Sequence, residues 1–144
     1  MSTDLDRQLE MAWTLLQLHF DGLTDEEAFW EPAPGSWTIR SGVPDWIAPE
    51  PSPSPTATIA WHLWQLGAYW TWMIDRTLVM QRLPWPGSTA SAIARIRECR
   101  AAWTGQDAWL NFEVIKQTAE IGSIRRLFAW LRLTGEAPRR QIPP

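Results

Sequence analysis

Apolar positions recur at helical spacing in four stretches of the chain, separated by breaks rich in proline and glycine. From Asp4 to about Phe20, Leu5, Leu9, Ala12, Leu15, Leu16 and His19 share one side of a 3.6-residue repeat; Thr3 is placed to cap this helix, and Asp4 and Asp6 suit its positive end. Gly22 breaks the pattern, and Thr24 with Glu27 three residues later has the form of a capping box for a short helical turn. A second long helix is predicted from about Pro55–Thr58 to Met80, with Ile59, His62, Leu63, Leu66, Trp70, Met73 and Ile74 inward. After a turn at Arg82–Ser88, Ser88 or Thr89 caps a third helix whose inner face is Ile93, Ile96, Cys99 and Trp103. Gly105 interrupts it, and Asp107 can cap a fourth. That helix runs to about Thr134, with Leu110, Val114, Gln117, Ile121, Ile124, Phe128 and Leu131 inward, and Gly135 ends it. No strand alternation and no internal repeat is visible. The predicted fold is all-α: one up-down (or up-down-down-up) four-helix bundle over residues 1–135, with a flexible tail at 136–144.

The connection between the first two long helices changes this picture most. Residues Trp30–Pro55, WEPAPGSWTIRSGVPDWIAPEPSPSP, carry too many prolines for a helix or a central strand. A loop this long in a compact domain needs anchors, and Trp30, Trp37 and Trp46 are the natural ones. Its end, PEPSPSP, reads as polyproline II, a plain linker rather than a recruitment motif. Twelve of the 144 residues are tryptophan. Trp61, Trp64, Trp70 and Trp72 point around one helix, where they suit core packing, loop contacts and an interface. The sharper reading of the same residues is an aromatic-lined pocket for an apolar small molecule near His62.

Charge excludes a nucleic-acid partner on balance. The net charge is −3, and the second half, although basic, has no dense cluster of the kind phosphates require. Residues 1–72 hold ten acids against two arginines, and residues 73–144 hold six acids against eleven bases. The halves are expected to attract each other. One cysteine, Cys99, excludes an internal disulfide framework and suits a cytoplasmic setting. Thr58–Ile74 is too short for a membrane span and ends against Asp75 and Arg76.

Chemistry concentrates on two helices. His62 lies on an apolar face, where a histidine is either a hydrogen-bonded core residue or a ligand. Glu113 and Gln117, four residues apart on the fourth helix, point the same way. A carboxylate rarely enters a core without a partner, and helical bundles build metal sites from such inward groups. His19 ends the first helix, where the helix dipole favours an imidazolium. Cys99 reads as a structural thiol, and Lys116 as one end of a local salt link to Glu113 or Glu120.

Three pieces of this sequence resemble the DinB-like superfamily: LTDEEAFWEPAPGSWTIR (Leu23–Arg40), TIAWHLWQLGAYW (Thr58–Trp70) and NFEVIKQTAEIGSIRRL (Asn111–Leu127). The resemblance implies a four-helix bundle, commonly a homodimer, holding a divalent metal through three side chains. It also implies, among characterised relatives, thiol-dependent transferases and isomerases that use mycothiol, bacillithiol or glutathione. By that pattern the metal set here is His62, Glu113 and Gln117. The family's late-helix His-His pair is replaced by Lys116 and Gln117, and the stretch before the last helix is shortened to TGQDAW. Zinc, nickel or manganese would be held weakly by such a set, because a neutral amide is a poor ligand beside imidazole or carboxylate. The leading expectation is a domain of unassigned activity with a degenerate site, no metal or a weakly bound one, and a possible small-molecule pocket. Beside it stand a metal-dependent thiol S-transferase or isomerase and a tryptophan-rich interaction module.

Overall fold

The computed structural model describes residues 4–103 and 108–135, with the backbone alone for 108–110. Thr3, Gly105, Asp107, the Leu110 side chain and the tail therefore lie outside the described residues. The described chain is mainly helical: α1 (Asp4–Phe20), α2 (Asp25–Ala28), α3 (Ile59–Ile74), α4 (Thr89–Ala102) and α5 (Ala108–Thr134), with a 3-10 turn at Met80–Arg82. Helix α5 packs against α1 and α3, and α3 also packs against α4. The fourth side is closed by side chains. Arg97 Nε donates to Gln17 Oε1 at 2.8 Å, Arg100 pairs with Glu10, and the Arg100 guanidinium stands over the Trp13 ring. These α4 bases on α1 acids and amides are one place where the oppositely charged halves meet.

Caps define the helix starts as the sequence implies. Thr24, Thr58 and Ser88 each accept a backbone N–H three residues on, from Glu27, Trp61 and Ser91. The four-residue α2 works as a staple: Asp25 Oδ1 accepts Thr89 N–H at 2.8 Å, while Glu27 and Glu26 pair with Arg125 and Arg132 of α5. Leu9, Leu16, Ile59, Leu63, Leu66, Ile96, Val114 and Ile121 form the core.

The long connection is held by its tryptophans. Trp37 N–H donates to Thr56 O (2.8 Å) and Thr58 N–H to Trp37 O (2.9 Å), which brings the two ends of the loop together just before α3. Trp37, Trp46 and Trp61 then pack ring against ring, and Trp46 also meets Trp64. The indole N–H groups of Trp61 and Trp64 donate to Asp45 O and Leu83 O, each at 2.8 Å, so a helix rich in tryptophan anchors the loops on both sides of it.

Four expectations need correction. A short antiparallel ladder, β1 (Ile39–Arg40) and β2 (Val43–Pro44), sits in the loop where no strand is predicted. Ser41 and Gly42 both have positive φ (51° and 78°), the two-residue turn that joins tightly twisted strands. Helix α3 ends at Ile74, not Met80, because Asp75 Oδ1 accepts both the N–H and the hydroxyl of Thr77 and so offers the backbone an alternative to helix. As a result Ile74 is 50% exposed rather than inward. Leu15 likewise faces outward, at 45% exposure.

The caps differ in depth, which predicts unequal costs. Thr58 is fully buried and also donates its hydroxyl to Thr38 Oγ1 at 3.1 Å, whereas Thr24 is exposed. Thr58→Ala is expected to cost about 2 kcal/mol in urea denaturation and Thr24→Ala about 0.5 kcal/mol.

Candidate functional site

The candidate site lies where α3 meets α5. His62, 6% exposed, joins Gln117, which is fully buried, through a hydrogen bond between Nδ1 and Gln117 Oε1. Gln117 Nε2 in turn donates to Gln65 Oε1 at 2.5 Å. Because the amide nitrogen of Gln117 is committed to Gln65, its oxygen faces the ring, and His62 must carry its proton on Nδ1. Gln65 shares a further side-chain hydrogen bond with Tyr69. His62, Gln65 and Tyr69 recur at i, i+3 and i+7 along α3, so one helical face supplies the whole row.

The ring is neutral over the physiological range. Burial pushes the His62 pKa from 6.5 down to about 4; the bond from Gln117 offsets part of this, and the Lys116 charge adds to it. His62 Nε2 lies 4.0 Å from Glu120 Oε2, a separation short enough for an ion pair only if the ring were charged. At neutral pH the burial effect wins. The lone pair on Nε2 then faces a half-exposed carboxylate with no proton between them.

Glu113 is in the core, at 2% exposure, as its spacing from Gln117 implies. Its Oε2 has no hydrogen-bond partner among the described residues. Its charge, after burial, helps to raise the Tyr69 pKa. Lys116 is exposed and makes no ion pair among the described residues, so the local salt link to Glu113 or Glu120 is absent there. For Glu113 the reason is geometric: it turns inward and Lys116 outward on the same helix. His19 is displaced from its expected role too. Burial and then the charges of Arg125 and Arg126 lower its pKa, which overrides the helix dipole.

The donor set does not suit a divalent metal of the implied kind. Both ends of the Gln117 amide are engaged inside the protein, the free His62 Nε2 lone pair faces Glu120, and no three histidine, cysteine or carboxylate groups converge among the described residues. Beside the Gln65–Tyr69 end, Trp46, Trp64, Ala68, Met80 and Gln81 enclose a space of about 10 Å³, room for one water at most. That is no pocket for a small molecule. Gln65, Tyr69 and Glu120 were not singled out as site residues from sequence; their signal was the spacing from His62 and from Gln117.

Two consequences follow for stability. Gln117→Leu strands the His62 N–H and the Gln65 oxygen in the core and is expected to cost about 2–4 kcal/mol in chemical denaturation. Since the folded-state pKa of His62 is depressed, the unfolded chain binds the extra proton between pH 6.5 and about 4, and stability falls as pH drops through that window. Measured against His62→Gln at each pH, the wild type should lose about 3 kcal/mol more between pH 7 and pH 4.

Compared with known proteins, the chain matches no family model, no curated protein and no solved structure.

Proposed function

We propose that this chain is a DinB-like four-helix domain in which a neutral hydrogen-bonded row, His62–Gln117–Gln65, stands where the resemblance puts a metal centre, and that it works without a resident divalent ion. The observation that carries this is the double engagement of the Gln117 amide. A ligand oxygen that already accepts an imidazole proton has little left to give a cation, and the nitrogen beside it is a donor turned toward Gln65. On this reading thiol transfer through a metal-bound thiolate is not the activity. The packing of the tryptophans weighs against the interaction-module reading: Trp30, Trp37, Trp61, Trp64 and Trp70 are all buried, so these five build the core and tie down the loop.

The test is a titration of the purified chain with zinc, nickel and manganese, followed by calorimetry and by metal content after dialysis. No saturable binding at micromolar ion is expected, and His62→Ala should leave the isotherm unchanged. One ion per chain at micromolar affinity, lost in His62→Ala, would contradict the proposal. A converse variant sharpens it. Gln117→His should create measurable zinc affinity if the amide is what keeps the site closed.

A further inference from the structure

Away from His62, the faces of α1 and α5 that meet solvent leave a trough of about 540 Å³, within the range of small-molecule sites. Its floor is made of small residues, Ala12, Thr118, Ala119 and Gly122, and its walls of large apolar ones, Met11, Leu15 and Ile115. Met11 is 67% exposed, so an apolar wall is presented to water with nothing described against it. The two helices run side by side in the same direction, since Thr118 Oγ1 reaches Ala12 O and Arg125 reaches His19 O further along both. From Gln8 at one end to His19 at the other, the trough therefore extends roughly 16 Å at 1.5 Å per residue.

Its charge is one-sided. The trough has no acidic lining residue, although the chain is net negative. Both polar groups of basic type, His19 and Arg126, stand at one end. Arg126 makes no ion pair among the described residues; its only described hydrogen bond is a long one to Ser123 Oγ, 3.4 Å. His19 reaches this end because residue 122 is glycine: a Cβ there would stand 2.6 Å from His19 Nε2. Burial first, and then the positive charges of Arg125 and Arg126, hold the imidazole below its usual pKa.

We propose that the α1–α5 trough binds an amphiphile with an anionic head, such as a fatty acid, with its chain along the Ala12–Ala119 floor and its carboxylate at Arg126. A channel with a floor of alanine and glycine between the Met11, Leu15 and Ile115 ridges accepts a slender alkyl chain. The single uncompensated guanidinium at one end selects the charge and the direction. His62 takes no part, so this site and the metal-free centre stand or fall separately.

Calorimetry with dodecanoate and dodecanol tests it on the full chain. Dodecanoate should bind the wild type at one site per chain, more tightly than dodecanol. Arg126→Gln, at an exposed position, should weaken dodecanoate about tenfold and leave dodecanol unchanged, the loss of one charge-assisted contact. Ala119→Trp fills the channel and should abolish both without lowering the helical signal. The proposal is overturned if dodecanoate does not bind, or if Arg126→Gln weakens both ligands equally. It is also overturned if sedimentation shows that the wild type is a dimer that Ala119→Trp dissociates and dodecanoate does not, which would make the trough an interface between copies.

Discussion

A buried amide that satisfies two partners at once governs the middle of this protein. Gln117 sits at full burial on α5 and is tied to α3 at both ends, by the His62 ring and by the Gln65 oxygen. Each of these polar groups would cost several kcal/mol to bury alone, and together they remove that cost from one another. They also set the register of α5 on α3, because apolar contacts at that interface would tolerate a slide along the helices and a chain of directed hydrogen bonds does not. The neutrality of His62 comes from its burial, which the bond to Gln117 only partly offsets. A charged ring in this position would need a close carboxylate, and Glu120 remains 4.0 Å away at a half-exposed position.

Around this row, aromatic rings take over the work of joining helix to loop. Trp61 stands edge-on to His62 at 5.6 Å and stacks on Trp46, while its indole N–H holds Asp45 of the connection. Trp70 packs between Trp13 of α1 and Trp103 at the end of α4. The tryptophan content thus has a structural use. A long proline-rich connection contributes few backbone hydrogen bonds of its own, and large rings with one polar end supply both area and directed anchoring. Among the described residues, an open trough lies away from this centre, on the outer seam of α1 and α5.

Much of this was legible in the residues. The bounds of α1 and α5, the caps at Thr24, Thr58 and Ser88, and the inward placement of Gln117 and Glu113 all follow from local chemistry and helical period, which act over three or four residues. The Trp37 and Trp46 anchors were legible because large apolar rings in a loop must be buried somewhere. What was not legible depends on competition between distant or equal forces. The end of α3 turns on whether Asp75 bonds to Thr77 or lets the helix continue, a choice that periodicity does not register. Leu15 faces water as a wall of the α1–α5 trough, which periodicity within α1 does not register. The charge state of His19 is set first by its burial and then by Arg125 and Arg126, more than a hundred positions away in the chain. The partner of His62 was the most informative case: spacing indicated that Gln117 faced inward, but only the geometry shows that its amide is used twice.

Nitrogen NMR of the His62 ring, followed from pH 8 to pH 5 with and without added zinc, tests the central claim most directly. The account requires one neutral tautomer throughout, protonated at Nδ1, with an Nε2 resonance that zinc does not move. A ring that takes up a proton near pH 6.5, or an Nε2 signal that shifts on adding zinc, would contradict it.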